Sequence, residues 1–370
     1  MNKIPSLLTT LSGETVTSAE QWETFRRPEI MALFSNFVYG VRPVERPVGL
    51  DFTVIKEQPD FDGQPITYRQ IRVCFQGYAF TVHGYLPQGT SKKIPSFVYA
   101  MHEYQEVRSR LDETIENTFI DFAEICRRGY AIFVMPTSGL YPDWEHKANF
   151  MQGVCPVFTP NAADRTDASW ATISIWGWGA SRVLDYIETQ PELDAKQVTV
   201  IGHSRGGKTA LWCAAQDTRF ICAISNNSGC TGAAMHRTKG GEHIKDINIT
   251  DWFCGNYHKY NDREEYLPVD QHMLLAAFAD RYVYVSSSYE DSWADPAAER
   301  LSCRLAEDAF ALYGRQGVVL PDEENIAVNT PYHEGNIGYH VKTGDHGITH
   351  FDWKLFLDFL DQKLCREDAK

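Results

Sequence analysis

The sequence predicts an α/β fold with three layers, in which helices cover both faces of a mostly parallel central sheet. Two observations predict it. From about residue 95 onward, short apolar segments rich in strand-forming residues alternate with longer helical segments, an order typical of parallel strands joined by helices. Before that point, residues 46–90 alternate apolar and polar side chains, as over 71–75 and 80–85. We therefore expect antiparallel strands to precede the parallel part of the sheet.

The predicted elements begin with a helical lead-in over residues 1–45. Apolar side chains recur there at helical spacing: Trp22, Phe25, Ile30, Leu33, Phe34 and Phe37. The later part is predicted to contain strands at 96–100, 130–135, 197–202, 220–225, 282–286 and 337–341, and helices at 112–128, 170–190 and 351–364. No repeat or linker divides the chain. We expect residues 1–370 to form a single domain, with an insertion at roughly 228–270 that contributes substrate contacts.

The composition is that of a globular protein with a large core, since 43% of the 370 residues are hydrophobic and 13% are aromatic. A net charge of −14 argues against a nucleic-acid partner. The nine cysteines are scattered without a C-x-x-C pair, which favours reduced and mostly buried thiols. No apolar run is long enough for a signal peptide or a membrane span. We expect a cytoplasmic protein without a membrane partner, or a secreted or periplasmic one if a leader has been trimmed.

The most informative motif is Gly202-His203-Ser204-Arg205-Gly206, which lies between a predicted strand and a predicted helix. This is the pattern and setting of the nucleophile elbow of α/β-hydrolases, in which a strained turn exposes the serine hydroxyl. Gly202 and Gly206 fit places where a Cβ would collide with neighbouring backbone. A glycine-rich turn with an incidental serine is the alternative. The context favours a serine hydrolase with Ser204 as its nucleophile.

A serine nucleophile needs a base, and in this fold the chain order is serine, acid, histidine. The loop between the last strand and the closing helix offers His340, His346 and His350. His340 falls within the strand and His350 lies near the helix start. His346, in a Gly-Asp-His-Gly loop, is therefore our predicted base. His333 comes too early and is expected at the surface.

The acid should follow the strand at 282–286, where its carboxylate would orient the histidine and stabilise the imidazolium. Asp291 is the predicted acid because it lies in the first turn of the loop beyond the sheet edge. Glu290 and Asp295 remain competitors. Asp295 precedes Pro296 and is more typical of a helix N-cap.

Over roughly residues 90–362 the sequence resembles the glucuronoyl esterases, a family of carbohydrate esterases with the α/β-hydrolase fold. The family elbow reads Gly-x-Ser-Arg-x-Gly-Lys, and here Gly202 to Lys208 match it. The resemblance implies that Arg205 helps to stabilise the oxyanion and that Lys208 contacts sugar hydroxyls. By position, Glu242 resembles a family glutamate that binds sugar hydroxyls, and Trp293 resembles the tryptophan that borders the sugar. Both could instead be structural.

One position departs from that family. Many members carry their catalytic acid as a glutamate just before Ser-Gly, whereas this chain has Asn227 before Ser228-Gly229. An amide cannot stabilise an imidazolium as a carboxylate does. The site would therefore be either crippled or dependent on the later acid position, which Asp291 supplies, and the chain would be an atypical member.

These observations predict a serine carboxylic-ester hydrolase that acts through an acyl-enzyme, without a metal or a cofactor. The resemblance implies a carbohydrate ester as substrate, a 4-O-methyl-glucuronoyl or related uronate ester. An intracellular sugar deacetylase or other small-ester hydrolase is one alternative, and a non-catalytic carbohydrate-binding protein of this fold is another. Trp170, Trp176 and Trp178 could form a sugar platform, but a helix face packed into the core is the favoured interpretation.

Overall fold

The computed structural model describes residues 4–102, 111–114, 119–143, 150–237, 240–248 and 251–364. Nine strands in these residues form one sheet, in the order β1-β2-β3-β5-β4-β6-β7-β8-β9. The strands are β1 (Asp51–Gln58), β2 (Ile66–Phe75), β3 (Tyr78–Pro87), β4 (Ile94–Met101), β5 (Ala131–Pro136), β6 (Leu193–His203), β7 (Cys222–Asn226), β8 (Tyr282–Ser288) and β9 (Ile337–Lys342). Strands β1 to β3 are antiparallel and β3 joins β5 antiparallel, whereas β4 to β9 pair in parallel.

The helices lie on both faces of this sheet. They are α1 (Ala19–Gln21), α2 (Arg27–Phe34), α3 (Phe122–Arg127), α4 (Cys155–Phe158), α5 (Thr172–Ile187), α6 (Arg205–Gln216), α7 (Ile244–Ile247), α8 (Gln271–Ala276), α9 (Pro296–Leu305), α10 (Glu307–Ala311) and α11 (His350–Lys363). Two π-helical turns, Trp22–Arg26 and Ser35–Tyr39, flank α2 and extend the N-terminal helical segment.

Two large apolar clusters form the core. One contains the side chains of α5 and α6, and the other contains those of α3 and α11. Trp170, Trp176 and Trp178 belong to the first cluster and are at most 1% exposed. The prediction that these tryptophans are core residues is confirmed.

The predicted order of elements is confirmed, with three corrections to helix bounds. The lead-in predicted as helical over residues 1–45 is helical only over 19–39 among the described residues. Of the predicted helix at 112–128, only Phe122–Arg127 is helical among the described residues, and 115–118 lie outside them. The Asp121 side chain accepts a hydrogen bond from the Glu124 amide at 3.1 Å, which caps the helix at that late start. The helix predicted at 170–190 spans Thr172–Ile187, because Ala171 is still extended.

The cysteines are mostly buried, as the sequence predicts. The eight cysteines in the described ranges are free, and all but Cys74 are buried.

No helix in the part of the chain that the structure describes combines the length and the apolar character needed to cross a membrane.

Candidate active site

Four neighbouring parallel strands, β6 to β9, end at the same edge of the sheet. Each is followed by one residue that sequence analysis singled out: Ser204 after β6, Asn227 after β7, Asp291 after β8 and His346 after β9. Parallel strands direct their carboxyl ends to one side, so positions that are far apart in sequence converge there. This edge is the candidate active site.

The elbow has the strained backbone that its motif predicts. Ser204 has φ 54° and ψ −125°, a conformation that non-glycine residues rarely adopt. A Cβ on Gly202 would lie 2.1 Å from the Gly206 carbonyl oxygen, and one on Gly206 would lie 2.7 Å from that of Ala100. Both positions therefore need glycine. The turn places Ser204 immediately before α6, where backbone N–H groups are available to an anion.

His346 and Asp291 form a close pair. The Nδ1 atom of His346 lies 2.6 Å from Oδ2 of Asp291, and a carboxylate can only accept, so Nδ1 carries the proton. Nε2 is then left to act as a base. The His346 ring is 4.5 Å, centroid to centroid, from that of His203, the residue before Ser204. No hydrogen bond joins Ser204 Oγ to His346 in the described residues, and such bonds often form only when substrate binds.

Asp291 is buried and firmly held. Asn227 Nδ2 donates to Oδ2 at 2.8 Å, and the amide of Ala294 donates to Oδ1 at 3.2 Å. Burial alone would raise the pKa of Asp291, but the hydrogen bonds from His346 and Asn227 outweigh it and hold the pKa below its usual value. Asp291 is therefore ionised at neutral pH. Asn227, which departs from the family pattern, contacts the predicted acid directly.

His203 forms the buried wall behind His346. Burial and the neighbouring His346 lower the pKa of His203 to about 3, so this ring stays neutral. Its Nδ1 lies 2.7 Å from the side-chain oxygen of Asn226, which fixes the ring orientation. A neutral neighbour avoids placing a second cation beside His346 when the latter takes up a proton.

The competing histidines have other partners. His340 is fully buried, with Nε2 2.9 Å from Asp352. His350 faces Asp121, with Nδ1 3.2 Å from its carboxylate. The surface prediction for His333 is wrong: the residue is partly buried, and its Nε2 lies 2.9 Å from the Tyr284 hydroxyl, which supplies a polar partner inside the fold.

The two competing acids accept hydrogen bonds from backbone amides. Glu290 accepts a hydrogen bond from the amide of Gly344. Asp295 accepts from the amide of Ala298 at 3.0 Å and caps α9, as predicted. Of the three acids considered, Asp291 is the one placed against His346.

The three predicted sugar contacts are joined in one chain of hydrogen bonds. Lys208 Nζ donates to Oε2 of Glu242 at 2.8 Å, and Trp293 Nε1 donates to Oε1 of the same carboxylate at 3.1 Å. Lys208 is buried, whereas Trp293 is 55% exposed. The chain therefore runs from the elbow helix outward to an aromatic surface.

Arg205 lies between an acid and an aromatic ring. Its Nε is 3.2 Å from Asp143 Oδ2, and its guanidinium carbon is 5.0 Å from the centroid of Trp252. Trp252 Nε1 also donates to Oδ1 of Asp143 at 2.9 Å. These contacts restrain a side chain that follows the nucleophile directly, which suits a fixed positive charge.

The sequence alone assigns no role to Asp143 or Trp252 and shows Asn227 only as a lost carboxylate. Asp143 lies far from the elbow in sequence and belongs to no motif, so no local signal could have found it. The donation from the Asn227 amide to Asp291 depends on the folded chain. Trp252 had a usable signal, because it lies in the insertion predicted to contact substrate.

Comparisons with known proteins identify the family of the chain. The family model described as "Glucuronyl esterase, fungi" matches residues 165–314. A carbohydrate esterase from an unknown prokaryotic organism is 32% identical over 396 aligned residues, covering 98% of this chain and 89% of that protein. A glucuronoyl esterase from Solibacter usitatus has a structure with a TM-score of 0.84 and 32% identity, covering 97% of each chain. A 4-O-methyl-glucuronoyl methylesterase from Schizophyllum commune is 25% identical, covering 85% of this chain and 74% of that protein. The resemblance and the α/β-hydrolase fold predicted from the sequence are confirmed, and the chain belongs to the glucuronoyl esterase family of carbohydrate esterases.

Proposed function

We propose that this carbohydrate esterase is a serine hydrolase that cleaves 4-O-methyl-glucuronoyl esters or closely related uronate esters. The observation that carries the mechanism is the His346–Asp291 pair beside an elbow that holds Ser204 at a positive φ. The family and its relatives support the substrate class, since one relative is a 4-O-methyl-glucuronoyl methylesterase.

In the first half-reaction Ser204 Oγ attacks the ester carbonyl carbon while His346 Nε2 takes the hydroxyl proton. Asp291 accepts the Nδ1 hydrogen bond and stabilises the imidazolium. The negative charge that develops on the carbonyl oxygen faces the Arg205 guanidinium and the backbone N–H at the start of α6. The tetrahedral intermediate then collapses, and His346 gives its proton to the departing alcohol.

In the second half-reaction water attacks the acyl-enzyme. His346 removes a proton from that water, and the same two groups hold the second oxyanion. Collapse releases the uronic acid and returns the proton to Ser204. All catalytic groups in this scheme are side chains or backbone amides of the protein.

The predicted sugar contacts begin at Lys208, in the first turn of α6 after the elbow. Lys208 and Glu242 present a donor and an acceptor for sugar hydroxyls, and the exposed Trp293 ring suits the apolar face of a pyranose. Because Lys208 is already held by Glu242 and by the Cys230 carbonyl, its ammonium needs no reorganisation on binding. A preorganised pair of this kind favours a polyhydroxy acyl group over acetate.

The test compares initial rates on methyl 4-O-methyl-glucuronate and on acetylated xylose. We expect turnover of the uronate ester that disappears in Ser204→Ala, and stoichiometric labelling of Ser204 by a fluorophosphonate. Turnover that survives Ser204→Ala would reject the mechanism. Turnover of the acetyl ester alone would favour a deacetylase, and absence of both turnover and labelling would favour a binding protein.

Lys208→Met tests the sugar side. We expect kcat/KM for the uronate ester to fall about 10- to 100-fold, the range for losing a hydrogen bond from a charged group, with a smaller effect on the acetyl ester. Lys245→Met is the matched control. Lys245 pairs with Asp262 at 2.7 Å on the exposed surface of the insertion that contains Glu242. Its substitution should change kcat/KM for neither substrate.

A further inference from the structure

Lys342 is a buried cation beneath the active site that the proposed reaction does not use. It is the last residue of β9 and is 4% exposed. An ammonium has three N–H donors, and three acceptors surround it here: Ser288 Oγ at 2.8 Å, the Gly347 carbonyl oxygen at 2.6 Å and Asp352 Oδ2 at 3.2 Å. Two of its N–H groups donate hydrogen bonds, to Ser288 and Gly347, and Asp352 is its ion-pair partner.

The three acceptors lie on three different elements that meet at the site. Ser288 ends β8, three residues before Asp291. Gly347 follows His346 directly. Asp352 lies in the first turn of α11, where Oδ2 also accepts from the amide of Thr349 at 2.7 Å. Lys342 thus links the two ends of the loop that carries His346, at the end of β9 and the start of α11.

A continuous chain of hydrogen bonds leads from Lys342 to the predicted acid. Ser288 Oγ donates to Oδ1 of Asn227 at 3.3 Å, and Asn227 Nδ2 donates to Oδ2 of Asp291 at 2.8 Å. Every donor in this chain points the same way, from the buried cation to the carboxylate. Hydrogen bonds aligned in this sense polarise and strengthen one another.

An ion pair that only stabilised the fold would need acceptors for the ammonium, but they could lie on any neighbouring element. Moving a lysine and a carboxylate out of water costs about as much as their attraction returns, and apolar replacements often serve stability equally well. The remaining N–H donors of the buried ammonium need acceptors, and here these acceptors are Ser288 Oγ and the Gly347 carbonyl oxygen. They connect the loop of the base to the strand end of the acid.

We propose that Lys342 is a positioning residue for the His346–Asp291 pair, and this inference rests on the proposed function. Through the Gly347 carbonyl it fixes the position of His346. Through Ser288 and Asn227 it fixes the carboxylate of Asp291. The reaction then begins with base and acid already aligned, which saves the cost of ordering them at each turnover.

The first experiment measures kcat and KM of Lys342→Met. We expect kcat to fall about 10- to 100-fold with KM within about twofold, since misplacement of catalytic groups by about 1 Å has effects of that size. Arg128→Met is the matched control. Arg128 is also a largely buried cation and pairs with Asp358 and Asp361 farther along α11. The Arg128→Met variant should be less stable and should keep the wild-type kcat per folded molecule.

The second experiment repeats the substitution in a His346→Ala background, with an aryl uronate ester whose good leaving group reveals residual activity. If Lys342 acts through His346, adding Lys342→Met leaves the residual rate within about twofold. An equal loss in both backgrounds, or an equal kcat loss in Arg128→Met, would overturn the proposal. Near-wild-type turnover of His346→Ala itself would instead reject the proposed function, so the two failures are distinguishable.

If Lys342→Met does not fold, the cycle is run with Lys342→Met combined with Asp352→Asn. This pair of changes leaves no uncompensated buried charge, and an amide oxygen can still accept from Thr349. The same selective loss of kcat is expected. A kcat equal to that of the parent enzyme would overturn the proposal.

Discussion

Two histidine–aspartate pairs lie at the same edge of the sheet, and only one is placed to do chemistry. His346 and Asp291 are 2.6 Å apart, and the His346 side chain is 42% exposed. His340 and Asp352 are 2.9 Å apart, and both side chains are 0% exposed. The two histidines are six residues apart in sequence. The two histidine–aspartate distances are almost the same. The pairs differ in the solvent exposure of the histidine and in the partners of its second ring nitrogen.

The second ring nitrogen decides what each histidine can do. In His340, Nδ1 lies 2.9 Å from the Tyr284 hydroxyl, so both nitrogens are occupied. In His346, Nε2 has no hydrogen-bond partner among residues that the structure describes. A histidine with two fixed partners is a structural link. One with a free nitrogen beside a nucleophile can accept a proton.

Asp291→Asn is the variant with the largest expected effect on this comparison. It keeps the shape of the side chain but removes the charge that holds the imidazolium, and we expect kcat to fall about 10³- to 10⁴-fold. The matched control is Asp295→Asn, at an N-cap where an amide caps nearly as well as a carboxylate. A large loss in the control with a small one in Asp291→Asn would assign the acid to Asp295 instead. The measurement is kcat on the uronate ester at neutral pH.

The pH dependence of stability tests a third buried carboxylate, Glu299, whose hydrogen-bond donors are all neutral. It accepts from the amides of Ser228 and Gly229 and from the hydroxyls of Ser228 and Ser287. Burial raises the pKa of Glu299 to about 7, although these donors oppose the rise. In contrast, Asp352 has His340 and Lys342 beside it, and these outweigh burial to hold its pKa below the usual value.

A raised folded-state pKa contributes stability that is complete below the unfolded value and is lost as pH rises through the folded one. Between pH 5 and pH 8, the free energy of unfolding of the wild type should therefore fall by up to about 3 kcal/mol more than that of Glu299→Gln. Urea denaturation at several pH values measures the difference. Parallel pH profiles would show that Glu299 stays ionised throughout.

His340→Leu tests the buried pair. We expect it to lower the free energy of unfolding by about 2 kcal/mol, because Asp352 and Tyr284 each lose a buried hydrogen bond. The kcat of the folded enzyme should fall much less than in Asp291→Asn. Urea denaturation and active-site titration measure the two quantities. Complete inactivation of a well-folded His340→Leu protein would mean that the wrong histidine has been assigned as the base.

Asn227→Ala has the smallest expected effect on the comparison. It removes one of the donors to Asp291 but leaves the His346 contact, so we expect kcat to fall about fivefold, equivalent to about 1 kcal/mol. Asn227→Asp should lower kcat further, because a second carboxylate would then face Asp291. If Asn227→Asp equalled or exceeded the wild type, the amide would have no positioning role.

Local signals accounted for much of the fold and for the candidate residues. The elbow could be predicted because its steric demands fall on adjacent residues, Gly202 to Gly206. His346 and Asp291 followed from chain order and loop position, and their catalytic roles stay predictions until variants are assayed. Strand positions were predictable because burial on both faces leaves long apolar runs.

The remainder depended on contacts between distant residues. Asp143 meets Arg205 and Trp252, and Lys342 meets Ser288, across 54 or more positions with no shared motif. The surface position expected for His333 failed for the same reason, since only the folded chain brings Tyr284 to it. Helix α3 starts late because Asp121 caps it, a choice that periodicity alone does not show.

The positive φ of Ser204 sets an upper limit on how stable this enzyme can be while it remains active. Residues held in such regions cost on the order of 1–3 kcal/mol, whereas glycine occupies them with little penalty. Ser204→Gly should therefore stabilise the fold, and the proposed mechanism requires that it abolish turnover. A serine at this strained turn is costly for stability, which fits the nucleophilic role proposed for it.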